Sequence, residues 1–254
     1  MKLTVVSSGS TGNCYVLQAR GSALVIECGV SPEAVMRRVR GLDWSRLAGV
    51  LVTHEHGDHA GYMKRWMDLG IDIWASYGTF EAKGMEKEMR ARRLHAMTTQ
   101  MVGSEWLVRS FDVRHDAREP YGFIIEHREA GKILFATDTR CIPYSFRSQE
   151  LDHIMVEANY DDSIMMANVC DDEILIKQAA RVQGSHMSIH SACDFIRAHQ
   201  TGNLKTVTLL HLSSQNGDEE RFRRMAEDSV LFAKVYVAKP GLQVEMVKDE
   251  FEIK

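Results

Sequence analysis

The 254-residue chain carries 31 lysines and arginines against 35 aspartates and glutamates, a net charge of −4, with 44% hydrophobic and 26% charged residues. That is the make-up of a globular protein with a full apolar core, long enough for one large domain or two small ones. It excludes a polycation that holds nucleic acid by bulk charge, so any such binding needs a local basic patch.

Taken in chain order, three short β-rich runs come first, "KLTVVSS", "CYVLQA" and "ALVIEC", the first two joined by the turn "GSTGN". "SPEAVMRRVRGL" reads as a helix with Ser31 as N-cap and Pro32 at its first position. "AGVLVT" is a strand buried on both faces. It delivers the chain into "HEHGDH", after which "AGYMKRWMDLG" reads as a helix ending at Gly70. "IDIWAS" is a strand, and "TFEAKGMEKEMRARRL" is expected to be a charged helix whose Arg90, Arg92 and Arg93 could touch a phosphate backbone. The strands "EWLVRSFDVRH", "YGFIIEHR", "KILFATDT" and "DHIMVEAN" follow. Helices are expected over about 171–183 and 188–199, with Ser188 as N-cap of the second. "KTVTLLHLS" is a last buried strand before the helix "DEERFRRMAED", and "AKVYVAK" and "LQVEMVK" close the chain. Two groups of strands, each followed by helices, predict two sheets packed face to face with helices outside, in a single domain over residues 1–254.

Nothing reaches 18 consecutive apolar residues, so no membrane span or membrane partner is expected. The opening "MKLTVVSSGS" does not read as a signal peptide. The five cysteines are scattered and never in C-x-x-C spacing, which fits reduced thiols in a cytoplasmic protein.

The segment "LVTHEHGDHAGY" gathers His54, His56, Asp58 and His59 within six positions. It is not a zincin helix, because Asp58 and not a histidine follows His54 at i+4. At a strand end, positions 54 and 56 point the same way and two imidazoles can grip one metal. Asp58 and His59, beyond the turn at Gly57, could serve a second. The mixture of imidazole and carboxylate fits zinc, iron or manganese. A catalytic zinc takes three protein ligands, so each metal is one short. Three further ligand-grade residues end apolar runs: His115 in "FDVRHDA", Asp138 in "ILFATDT" and His211 in "VTLLHLS". Alone, His115 and His211 fit equally a hydrogen-bonded strand-end histidine, and Asp138 a turn-forming aspartate. Asp138 has two oxygens and could bridge both metals.

The ordered blocks T-H-x-H-x-D-H, H-D-A, T-D-T and L-x-H-L-S resemble the metallo-β-lactamase fold hydrolases, over a stretch running from "SSGSTGN" to "HLSSQN". Within them "SGSTGN", "RHDAREPYGF", "FATDTR", "VEANYD" and "SHMS" look most like the bacterial YycJ/WalJ-type proteins, described as DNA exonucleases. The resemblance implies an α/β fold, a four-layer αβ/βα sandwich of two mixed β-sheets flanked by helices. It implies two divalent metals, zinc first, with manganese and iron as alternatives. His54, His56 and His115 would hold one, Asp58, His59 and His211 the other, with Asp138 between them. The implied activity is metal-dependent hydrolysis of a phosphodiester in nucleic acid, DNA favoured; thioester or lactone hydrolysis on the same scaffold is the alternative. Asp58 would also orient the attacking water. His186 would protonate the leaving oxygen or contact the phosphate, against a plain reading as a polar helix-start residue. Ser10, Thr11 and Asn13 would offer donors at the mouth of the site. Three positions depart from the pattern: Glu27 where an aspartate is usual, Tyr160 where the family has histidine, and Arg140 where glycine is commoner.

Overall fold

The computed structural model describes residues 1–169 and 173–248. The first part of the chain forms β1 (Lys2–Ser7), β2 (Cys14–Gln18), β3 (Ala23–Ile26), α1 (Pro32–Arg38), β4 (Leu47–Leu51), α2 (Gly57–Ala60), α3 (Met63–Asp68), β5 (Ile73–Ala75), α4 (Tyr77–Lys83) and β6 (Ala91–Arg93). The second forms β7 (Thr99–Val102), β8 (Trp106–Asp112), β9 (Tyr121–His127), β10 (Gly131–Ala136), β11 (His153–Glu157), α5 (Asp162–Asn168), α6 (Glu173–Ser185), α7 (Ile189–His199), β12 (Thr206–Leu210), α8 (Glu219–Glu227), β13 (Lys234–Val237) and β14 (Gln243–Glu245).

Two seven-stranded mixed sheets result, in the orders β14-β1-β2-β3-β4-β5-β6 and β13-β12-β11-β10-β9-β8-β7. Each has an antiparallel arm and a parallel arm. β3 through β6 run parallel in the first sheet, and β10 through β13 in the second. β14 crosses back from the end of the chain to pair with β1.

The period-2 alternation of the strands decides what each face buries. Leu3 and Val5, Tyr15 and Leu17, Leu24 and Ile26, and Leu51 face Phe123 and Ile125, Ile133 and Phe135, and Met155 and Leu210 in the core between the sheets. The intervening residues point outward under helices. Val16, Val25 and Val50 pack with Val35 of α1, Trp66 of α3 and Phe80 of α4. Leu134, Val156 and Val207 pack with Ala192 and Ile196 of α7 and Phe222 of α8. The order is therefore helix, sheet, sheet, helix, the four-layer sandwich expected from the sequence. Strands such as "LVI" and "IMV" are apolar at every position because both of their faces are covered.

One predicted helix is much shorter than expected. α4 ends at Lys83 because Gly84, at φ 64°, caps it in the left-handed region. The chain then turns and Ala91–Arg93 becomes β6, the edge of the first sheet. The arginines there are engaged within the protein. Arg90 and Arg92 both bond Asp72, at 3.1 and 2.9 Å, and the Arg93 guanidinium lies 4.5 Å over the Tyr77 ring. α5 was not foreseen. Its start is marked by Asp161, whose carboxylate accepts from the Ser163 and Ile164 amides. Ser188 caps α7 as expected, accepting from the Ser191 amide. The expected helix over 171–183 is α6, and residues 171 and 172 lie outside the described residues.

Candidate metal centre

Five strands end at one place. Glu27 follows β3, Thr53 and His54 follow β4, Asp138 follows β10, Glu157 ends β11 and His211 follows β12. All five strands belong to the parallel ladders, and the carboxyl ends of such strands form the crevice where α/β sheets bind ligands. The backbone turns sharply there. Glu27, Asp138 and His211 have φ of 67°, 46° and 54°, three of the five non-glycine residues with positive φ among the described residues. Such conformations cost of order 1–3 kcal/mol each and cluster where a site demands them.

The "HEHGDH" segment leaves β4 as a loop and closes as α2, which places Asp58 and His59 in a single helical turn. The loop after β3 clamps that turn. The Cys28 amide donates to the His59 carbonyl at 2.8 Å, and the Asn13 amide donates to the Asp58 carbonyl at 2.7 Å. Gly29 is required for the approach, since a Cβ there would lie 1.7 Å from the Asp58 carbonyl oxygen.

Two nests of ligand atoms face one another. In the first, His54 Nε2 lies 3.1 Å from His56 Nδ1, and His115 Nε2 lies 3.2 Å from the same atom. His54 has its Nδ1 on Thr53 Oγ1 at 2.8 Å, and His115 has its Nδ1 on the Ser185 carbonyl at 3.0 Å. His115 can only donate to that carbonyl, which turns the Nε2 lone pair inward. Burial, reinforced by nearby His59, holds the His54 imidazolium well below the usual histidine range, and burial lowers His115 as well. Those two rings stay neutral, the form that binds a metal.

In the second nest His59 Nε2 lies 3.4 Å from both Asp58 Oδ2 and Asp138 Oδ2. His211 Nε2 lies 3.7 Å from Asp58 Oδ2 and 3.7 Å from Asp138 Oδ1. Asp138 Oδ2 is also 3.8 Å from His115 Nε2, so this one carboxylate stands between the nests. Burial would raise the Asp138 carboxyl, but His211 and His59 beside it hold it well below the usual range. Burial opposes the ionisation of Asp58 too, and the His211 and His59 rings beside it win. Conversely, burial disfavours charge on His59, yet Asp138 and Glu27 carry its pKa well above the ordinary value.

The donor set fits a pair of cations. The first nest converges three ring nitrogens, with Asp116 Oδ1 3.3 Å from His115 Nε2, and the second pairs two imidazoles with two carboxylates. His211 Nε2 and His59 Nδ1, both buried, have no hydrogen-bond partner. Buried polar atoms without partners are costly, and a metal at Nε2 of His211 removes one of these orphans. The same seven residues fall into two of the ligand groups whose atoms lie within 4.8 Å of one another: His54, His56, His115, and Asp58, His59, Asp138, His211.

His186 stands at the edge of this centre. Its Nδ1 lies 2.6 Å from Glu157 Oε1, and its ring stacks on His211 with centroids 5.4 Å apart. Burial pulls its pKa down, but the Glu157 carboxylate and its hydrogen bond outweigh burial and push it up to about 9. Glu157 was not singled out in the sequence, although it ends an apolar strand in the manner that pointed to Asp138. It is fully buried, and it also accepts from the Thr139 amide at 2.8 Å and the Met187 amide at 3.2 Å.

Other residues also differ from expectation or were missed. Asn13 is not at the mouth of the site. It is fully buried behind it, its Nδ2 3.1 Å from His59 Nε2 and 3.1 Å from the Gly9 carbonyl. Ser10 and Thr11 are exposed on the cavity wall as expected. Ser8 Oγ, unforeseen, accepts from the His211 amide at 3.0 Å, and Asn159 Nδ2 donates to the His211 carbonyl at 2.8 Å.

With two nests at the shared edge of two mixed sheets, the site and fold define a metal-dependent hydrolase of the metallo-β-lactamase fold. The beta-lactamase superfamily domain matches residues 24–212, and the chain belongs to that superfamily. It is 28% identical over 244 residues to the exodeoxyribonuclease YycJ of Bacillus anthracis, covering 91% of this chain and 89% of that protein. It is 24% identical over 233 residues to the exodeoxyribonuclease WalJ of Streptococcus pneumoniae, covering 86% and 84%. Among solved structures, the metallo-beta-lactamase fold protein YhfI of Bacillus subtilis superposes with a TM-score of 0.72 at 16% identity, over 96% of this chain and 99% of that one.

Proposed function

We propose that the protein is a two-metal phosphodiesterase that degrades nucleic acid, a DNA exonuclease in its closest reading. The observation that carries the metal chemistry is the pair of nests on either side of Asp138. The names of the relatives from Bacillus anthracis and Streptococcus pneumoniae carry the substrate class. His54, His56 and His115 would hold one divalent ion, Asp58, His59 and His211 the second, with Asp138 shared. Zinc suits a set of five imidazoles and two carboxylates, and manganese and iron are the alternatives. Such ions supply a water acidified towards neutrality and neutralise charge on a phosphoryl group.

The chain's own groups do the rest. Asp58, whose Oδ2 faces both His59 and His211, orients the attacking water. Glu157 occupies Nδ1 of His186, which leaves Nε2 as the polar atom of that ring with which to meet the phosphate or the leaving oxygen. Ser10 and Thr11 offer hydroxyls along the adjoining wall. No helix among the described residues is long and apolar enough to cross a membrane.

The test is metal analysis paired with cleavage of end-labelled duplex DNA, single-stranded DNA and RNA, with zinc and manganese supplied separately. His56→Ala should remove one bound metal and reduce cleavage to background. A His56→Ala protein with full metal content and full turnover overturns the scheme. Turnover of a thioester panel with every nucleic acid left intact moves the protein to ester hydrolysis on the same scaffold.

A further inference from the structure

The metal centre has two mouths of opposite chemistry. One is a pocket of about 460 Å³ walled by hydroxyls and amides such as Ser10, Thr11, Ser213 and Asn216, together with His186 and His211, and with no lysine, arginine, aspartate or glutamate among the described residues of its lining. The other is a groove of about 1110 Å³ that begins at the ligand His115 and is lined by Arg114, Arg140 and Tyr160, with Asp116 and Asp162 also on its walls.

The charges in that groove are not equally available. Asp116 pairs with Arg181 at 3.6 Å, and Asp162 accepts from Gln183 Nε2 at 3.2 Å. The guanidinium groups of Arg114 and Arg140 are exposed, and neither takes part in an ion pair or a side-chain hydrogen bond among the described residues. Their loops are nevertheless fixed with respect to the metal centre. The Arg140 amide donates to the Arg114 carbonyl at 2.8 Å, and the Arg114 amide donates to Thr139 Oγ1 at 3.0 Å. Thr139 in turn donates its amide to Glu157, the carboxylate that holds His186. Two unspent guanidinium groups on a scaffold tied to the catalytic edge are suited to a polyanion, since arginine matches phosphate oxygens with its planar fork.

We propose that Arg114 and Arg140 bind backbone phosphates of the strand flanking the scissile bond, so that a polynucleotide leaves the metal centre along this groove and not through the hydroxyl- and amide-walled pocket. The proposal rests on the nucleic-acid reading above for the nature of its ligand. It also explains how a chain of net charge −4 holds a polyanion, by placing two free cations where the strand runs.

The test measures binding apart from cleavage. A fluorescently labelled single-stranded phosphorothioate oligonucleotide is titrated with the metal-loaded protein at several salt concentrations. Arg114→Gln and Arg140→Gln should each lower the slope of log affinity against log salt by about 0.7, and the double substitution by about 1.4. Arg114→Lys and Arg140→Lys, which keep the charge, should retain the wild-type slope. An unchanged slope in the double glutamine variant overturns the proposal, as does a wild-type protein that does not bind the oligonucleotide. Cleavage of the ordinary phosphodiester strand is followed in parallel. Binding with the arginine-dependent slope but without cleavage leaves the groove standing and removes the nuclease reading instead.

Discussion

Glu27 and Glu157 are both sealed from solvent, each at the carboxyl end of a strand, one in each sheet, and each backs an imidazole of the centre. They are held very differently. Glu157 collects three donors, His186 Nδ1 and the amides of Thr139 and Met187. Glu27 has one long contact from the Thr53 amide at 3.4 Å and stands 3.5 Å from His59 Nδ1, and its Oε1 has no hydrogen-bond partner. Burial accordingly raises the Glu27 carboxyl, against the pull of His59 and Thr53. The contrast separates two ways of bracing a metal site. Glu157 is a fixed post that ties together the Asp138 loop, the His186 turn and the arginine-bearing loops. Glu27 is a counter-charge, standing 3.5 Å from His59 Nδ1 and joined to it by no short hydrogen bond.

The largest effect should come from removing the fixed post. Glu157→Ala strands the buried Thr139 and Met187 amides and frees His186. Unsatisfied buried donors cost about 1–3 kcal/mol each, so a loss of roughly 3 kcal/mol is expected in urea unfolding. Turnover should fall roughly 10–100-fold, as for other partners that orient a metal site from behind. Glu157→Gln, which keeps one acceptor oxygen, should lose less stability than the alanine variant. Wild-type stability in Glu157→Ala would remove the distinction between the two glutamates.

Glu27→Asp should cost less. The shorter side chain draws the carboxylate away from His59, and metal affinity measured by chelator competition should fall about tenfold, the low end for such partners. Stability should hold or rise slightly, because aspartate tolerates the positive φ of 67° at this position better than glutamate does. A loss of metal affinity as large as that in Glu157→Ala would show that Glu27 is as firmly fixed as its counterpart.

The same contrast explains what could be read from the sequence. His54, His56, Asp58 and His59 are adjacent in the chain, and His115, Asp138 and His211 each follow an apolar run, so their local signals survive without a structure. The two sheets were legible for the same reason, because alternation and continuous apolar runs report how many faces a strand buries. Asn13 and Ser8 carry no such mark, and the apolar run that ends at Glu157 does not tell which groups its carboxylate meets. Their roles come from which strands lie side by side: β11 between β10 and β12, and the β1–β2 turn against α2. Glu27 was visible as a departure, but its long contacts to His59 and Thr53 depend on a backbone turn that no residue type at that position announces. The shortened α4 was hidden because "EKEMRARR" is as good a helix as it is an edge strand. Gly84 and the pairing with β5 decide the matter.

The smallest effect is expected at a contact whose geometry is as good as any at the site. Arg65 donates from Nη2 to Glu33 Oε1 at 2.6 Å and from Nε at 3.1 Å, a spacing close to that of Glu157 and His186. The hydrogen bond from Arg65 holds the Glu33 carboxyl down at about 2, from an ordinary 4.5. A carboxyl whose pKa is lowered on folding contributes above its unfolded value and loses that contribution as the pH falls, here between about 4.5 and about 2. Both side chains are exposed, however, so water and salt screen the pair at every pH. Glu33→Gln should therefore leave the urea midpoint at neutral pH within error of the wild type. A drop matching that of Glu157→Ala would mean that distance and not burial ranks these carboxylates. The separation between the fixed post at Glu157 and a surface pair would then have no basis in stability.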